Sequence, residues 1–151
     1  MYKYLLVVYF FLNFYLAGVF VLEIEVNYRT WLLIGADEFP LYHQTLTKLL
    51  RLVLLLPLAI AGMISWLMVI LAHFKNYRTL FLIHALFITA FSIVSLTMMV
   101  PLHIQLSQVF DAEMIQQLIF RSALFRLPLQ IAMLTINLYL LFRFLGKGKI
   151  V

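Results

Sequence analysis

Four long apolar runs alternate along this chain with shorter stretches where charge and polarity collect. The runs cover approximately residues 4–22, 52–72, 80–102 and 127–145. Crossing about 30 Å of hydrocarbon takes roughly 20 helical residues, and each run meets that length. Peptide groups in lipid find no water, so each run must bond to itself as a helix. The strict alternation of a membrane β-barrel is absent. The expected fold is all-α, a transmembrane four-helix up-down bundle forming a single domain over residues 1–151. The first run reads as an uncleaved span. It is too long for a signal peptide, and only Ala17-Gly18 approaches a small-residue cleavage site.

The polar stretches divide into two unlike sets. Lys3, Lys75, Arg78, Arg143, Lys147 and Lys149 fall on one side with no acidic residue. The segments 23–51 and 103–126 fall on the other. They carry Arg29, Lys48, Arg51, Arg121 and Arg126 against Glu23, Glu25, Asp37, Glu38, Asp111 and Glu113. The bare basic side, with its short loop, is the expected cytoplasmic face, which places both termini inside. The outer segments read as helical extensions beyond the membrane, by roughly 10 residues or 15 Å. No breaker interrupts the chain from Glu23 to Gly35, and Glu25 and Arg29 stand at i,i+4 in the order that favours a helix ion pair. Asp37 is the expected N-cap of the next helix, with Pro40 in its first turn, and Asp111 the expected cap of the helix leading into span four.

Composition narrows the class further. With 66% hydrophobic residues, 11% charged and a mean hydropathy of +1.06, the chain has more apolar surface than a soluble domain of this size can bury. Lipid is the expected partner for the surplus. The net charge of +5 is scattered between apolar runs without a patch, which excludes nucleic acid as a partner. The chain has no cysteine, so disulfides, Cys-ligated metals and thiol redox chemistry are excluded.

Polar groups at membrane depth are costly and each needs a partner. Asn13, His84, Gln130 and Asn137 are read as intramembrane contacts between helices. Arg126, Gln130 and Asn137 share one stripe of span four. Thr89, Ser92, Met99 and His103 share another on span three, with His84 and Ser95 at its edge. Ala59, Gly62 and Ser65 on span two would let a neighbour approach closely. Pro57 and Pro128 mark expected kinks, and Pro101 an expected irregularity at the outer end of span three.

The outer boundary gathers Glu23, Glu25, His43, Arg51, His103, Arg121 and Arg126. His43, Thr47 and Arg51 recur every four residues and face one way. A bundle could join His43, His103 and Glu23 or Glu25 in a partly buried site. Such a site could hold iron, manganese or zinc, or supply an acid and a base to a lipophilic substrate. No Glu-x-x-His or His-x-x-x-His pair is present. One haem between His43 and His103 stays open, whereas two stacked haems lack ligands. The alternative is Glu–Arg ion pairs with Arg and Lys snorkelling to the headgroups. Tyr2, Tyr28, Trp31, Tyr42 and Tyr77 fit interfacial belts, and the Phe-rich first span fits a lipid-facing surface.

Phe39-Pro-Leu-Tyr-His43, Val100-Pro-Leu-His103-Ile-Gln-Leu106 and the Arg121…Arg126 pair resemble a group of uncharacterised bacterial four-span membrane proteins. That group is distantly similar to the anthrone oxygenases. The resemblance implies a bacterial inner-membrane protein. Relatives carry a second His three residues after the His43 position and a Glu within span two, where this chain has Leu46 and the small residues around Ala61. The Asn and Trp before Arg126 are here Ala123 and Leu124. These departures favour a non-catalytic accessory or structural subunit, packed with other membrane subunits or with itself. The alternative is a membrane enzyme, oxygenase-like, acting on a lipophilic aromatic substrate through His43, His103 and an outer Glu.

Overall fold

A computed structural model describes residues 2–146 of the chain. Lys147 and Lys149 lie outside the described residues, as does the side chain of His73. Four helices, each long and apolar enough to cross a membrane, make up the fold: α1 Tyr2–Trp31, α2 Phe39–Ile70, α3 Lys75–Leu106 and α4 Ala112–Leu145. At 30 to 34 residues each, they outrun the roughly 20 residues that hydrocarbon requires. Each packs against its sequence neighbour, and α1 against α4 closes the ring. Both ends of the described chain therefore lie at one end of the bundle, here called the terminal end. The 32–38 and 107–111 connections lie at the other.

The helix starts follow from local chemistry. Asp111 accepts from the Glu113 and Met114 amides at 2.8 and 3.1 Å, capping α4 as its sequence predicts. The cap position of α2 is Glu38 rather than Asp37, and neither side chain caps. The amides that Asp37 would serve are not free: Phe39 N–H already bonds Gly35 C=O at 3.0 Å, and Pro40 has none. Between α2 and α3, Leu71 turns extended and a short 3₁₀ turn over Ala72–Tyr77 redirects the chain.

Inside the ring, three apolar layers alternate with two polar ones. Tyr9, Met68, Phe81 and Leu140 belong to the layer nearest the terminal end. Phe20, Leu58, Ile88 and Phe91 belong to the middle layer, and Trp31, Phe39, Leu106 and Ile115 to the far one. The first polar layer ties three helices together. Ser65 Oγ donates to Ala61 C=O, so it accepts from His84 Nδ1–H at 3.2 Å, and His84 Nε2 accepts from Asn137 Nδ2–H at 3.0 Å. Gln130 donates to Ala17 C=O on α1, whereas Asn13 bonds Tyr9 C=O on its own helix. Three of the four intramembrane polar residues thus bridge helices, and Asn13 does not. On α3, His84 and Ser95 are both buried. On α2 the close approach is made by Ala61 and Ser65; Ala59 is exposed, and nothing lies within 4 Å of a Cβ built on Gly62.

Every helix widens into one π-turn: Leu22–Asn27, Arg51–Leu55, Ser95–Met99 and Ser122–Arg126. Three of them have one cause. Pro57, Pro101 and Pro128 each follow the first π residue by six positions. Proline has no N–H for the carbonyl four residues back, and its ring collides with that carbonyl in a regular helix. The chain responds by bonding the preceding amide one residue further back: Leu56 to Arg51, Val100 to Ser95, Leu127 to Ser122. Val53 C=O, which Pro57 cannot use, takes the Tyr15 hydroxyl of α1 at 2.8 Å. The α1 turn has no proline after it, and its buried polar residue is Glu23. All four turns lie between the middle and far apolar layers, at the second polar layer.

Candidate functional site

The second polar layer starts from a buried cation. Arg126 is 3% exposed, with its guanidinium 4.8 and 5.3 Å from the ring centres of Phe20 and Phe91, which contact each other. The aromatic faces offset part of its desolvation. Its Nη1 donates to Tyr28 Oη at 3.0 Å and to Ser122 Oγ at 3.4 Å, and its Nε has no partner. Among the described residues the only ion pair is Glu25–Arg29, at 3.1 Å, so no carboxylate is in salt-bridge contact with Arg126.

From Tyr28 a chain of hydrogen bonds runs through two imidazoles. Tyr28 Oη lies 3.2 Å from His103 Nε2, His103 Nδ1 lies 3.1 Å from His43 Nε2, and His43 Nδ1 lies 2.9 Å from Ser107 Oγ. The rings of His43 and His103 are 17° from parallel, with centroids 5.3 Å apart. Trp31 meets both edge-on, and Phe39 stacks on His43. The proton order follows from the two ends. Ser107 Oγ gives its one hydrogen to His103 C=O at 2.8 Å, so it accepts from His43 Nδ1–H. Neutral His43 then accepts at Nε2 from His103 Nδ1–H, which leaves His103 Nε2 to accept from the Tyr28 hydroxyl. Every link points the same way, from Arg126 toward Ser107. These tautomers are assigned from the network.

A cavity of about 160 Å³ opens beside this chain. Glu23, Tyr28, His103 and Arg126 are among the polar groups lining it, and Leu50, Leu54, Leu58 and Met99 are among the apolar ones. The exposed side chains of Arg51, Leu55 and Ile104 put its mouth between α2 and α3. Counting roughly 20 residues back from Ile70, the length that hydrocarbon requires, brings the chain to about Arg51, level with this mouth. Glu23, 3% exposed, accepts from Asn27 Nδ2–H at 2.7 Å. No protein family, curated protein or solved structure matches this chain.

Of the residues gathered at the outer boundary by sequence, Glu23, Arg51, His103 and Arg126 line the cavity, and His43 stands one hydrogen bond behind the wall. Glu25 faces outward with Arg29. Arg121 lies apart, bonding Gln117 and Met98 C=O. His43, His103 and Glu23 do not form a ligand set: among the described residues no three His, Asp or Glu side chains gather around a common point. All four ring nitrogens of the histidine pair are engaged. The facing nitrogens lie 3.1 Å apart, less than the roughly 4 Å between two trans nitrogens each about 2 Å from one iron. The same spacing leaves no room for a haem iron between them.

Tyr28 and Trp31, expected in an interfacial belt, are wholly buried and carry the site. Ser107, Asn27, Phe20 and Phe91 carry no signal in the sequence that marks them for the site. The missing signal is a change of period. In a 3.6-residue helix, positions five apart lie about 140° apart, whereas a π-turn brings them onto one face. Glu23 and Tyr28 line one cavity for that reason, with Tyr28 N–H bonded to Glu23 C=O.

Proposed function

We propose that this integral membrane protein takes a lipophilic molecule with a polar end from the bilayer into the α2–α3 cavity. There Tyr28, His103 and Glu23 offer it acid and base groups. The observation that carries this reading is Arg126, a guanidinium buried without a carboxylate in salt-bridge contact, lining a cavity that combines Leu50, Leu54, Leu58 and Met99 with polar groups that include Glu23. A cation kept in that position costs several kcal/mol unless something compensates it. A purely structural bundle would do better with an apolar residue there. The mouth at the membrane boundary gives such a molecule a route that avoids water. The excess of bare basic residues at the terminal end supports both termini being cytoplasmic. The resemblance to bacterial four-span membrane proteins supports a bacterial inner membrane.

The test is purification in mild detergent followed by native mass spectrometry and solvent extraction. The expected outcome is a bound lipophile released stoichiometrically, and lost when Leu54→Trp fills the cavity. Stoichiometric co-migration with other subunits and an empty cavity would favour the accessory-subunit reading instead.

A further inference from the structure

The protein itself uses only part of the Arg126 guanidinium. Nη1 serves Tyr28 and Ser122, while Nε and Nη2 donate to nothing among the described residues. The hydrogens of Nε and Nη2 run parallel along one edge of the group, and such an edge takes both oxygens of a carboxylate. Ser95 Oγ, buried in the same lining, has no partner either. The charges are unbalanced in the same sense. Arg51, Arg126 and Glu23 line the cavity, two cations against one anion. Glu23 spends one oxygen on Asn27 and lies outside salt-bridge reach of Arg126, so the free edge is left for an anion from elsewhere.

We infer that the cavity binds a single-chain carboxylate amphiphile, its two oxygens on the Nε–Nη2 edge of Arg126 and its tail leaving between α2 and α3. This deepens the proposed uptake of a lipophile and rests on it. One added negative charge brings the lining to neutrality. An alcohol or an ester carbonyl brings a single oxygen and no charge to that edge, which leaves half of it unfilled. Arg51 is exposed at the mouth. An amphiphile keeps its charged end at that level while its chain lies along apolar surface, so the first cation it meets is the one at the entrance.

Volume limits what enters. An apolar cavity of about 150 Å³ holds a benzene ring. The cavity here, about 160 Å³, has room for a carboxyl group and the first few methylenes. Leu50, Leu54 and Leu58 give those methylenes an apolar wall, and the rest of the chain stays in the bilayer. A two-chain glycerolipid would have to bring its glycerol and both ester arms into the same space, which favours a single chain.

The test uses the full chain in phosphatidylcholine nanodiscs at about pH 8, well above the ordinary carboxylic range. It compares decanoate with 1-decanol and methyl decanoate, each affinity written as a mole fraction of the lipid. Decanoate should bind saturably and about tenfold or more tighter than either neutral analogue, the margin of a charge-assisted hydrogen bond. Arg126→Gln should abolish that preference, and Arg126→Lys, which keeps the charge but not the edge, should restore only part of it. A measurement on the unaltered chain guards against misfolding of these variants: ¹⁵N spectra of labelled arginine should show one Nε–H displaced by decanoate and not by decanol. The same displacement should survive in Arg51→Lys. Equal binding of the three compounds overturns this inference and leaves the uptake reading standing. Decanoate binding that persists in Leu54→Trp lies outside the cavity and has the same consequence. Saturable phosphatidylglycerol binding with none of decanoate assigns the edge to a phosphodiester and overturns the carboxylate. Absence of saturable binding by all of these, with no lipophile extracted from the purified protein, overturns the uptake reading itself.

Discussion

Tyr28 joins the two halves of the polar layer: its hydroxyl accepts from Arg126 and donates to His103. Tyr28→Phe keeps the ring against Trp31 but strands a guanidinium N–H and an imidazole nitrogen. Leaving buried partners unsatisfied costs about 1–3 kcal/mol. The variant should unfold at lower temperature or denaturant than wild type in detergent, read by circular dichroism. Glu25→Gln removes only an exposed pair and should change the same curve by less than about 0.5 kcal/mol. Residues that act through ordinary helical spacing are legible in the sequence itself. Glu25–Arg29 pair as i,i+4 predicts, Asp111 caps α4, and the Arg126, Gln130 and Asn137 stripe is buried throughout. Glu23, His103 and Arg126 stand out by the cost of placing such groups near lipid. Tyr28 and Trp31 do not, because an aromatic with a polar atom fits an interfacial belt and a buried site equally well.

At the scale of the helix, the determining event is a proline six residues into a widened turn. Tyr15 shows how the freed carbonyls are served, and it gives a test by double-mutant cycle. Tyr15→Phe should cost about 1 kcal/mol in the native background by leaving Val53 C=O without its partner. In a Pro57→Ala background the new backbone N–H can reach that carbonyl, so the same substitution should cost measurably less. Equal costs in both backgrounds would mean that Tyr15 acts by packing alone. The three prolines are legible as irregularities, but their form is not. A kink and a π-turn satisfy the same steric demand, and only neighbours such as Tyr15 decide between them. The α1 turn carries no proline at the corresponding position, which holds Tyr28, so nothing local announces it. The Asp37 cap fails for an equally local reason: Gly35 has already taken the one amide that Pro40 leaves available.

At the scale of the whole molecule, the apolar runs set the outcome. Four helices and an up-down order follow from their length and from the need of every peptide group for a partner. The unbroken polar extensions of those runs also predict helices that outreach the bilayer, as all four do. Sidedness rests on charge and can be measured cleanly, because the chain has no cysteine to confuse labelling. Single cysteines replacing Gly35 and Gln108 should react with an impermeant maleimide from outside intact cells, and those replacing Lys3 and Asn76 only after lysis. Any pair from one end labelling on opposite sides would refute the up-down order. The lateral mouth between α2 and α3 has a consequence for every affinity measured on this protein. A guest arriving sideways is counted per lipid rather than per litre, so its half-saturation point, written as a total concentration, should climb in proportion to the amount of bilayer in the tube. Written as a mole fraction of the membrane, it should stay fixed.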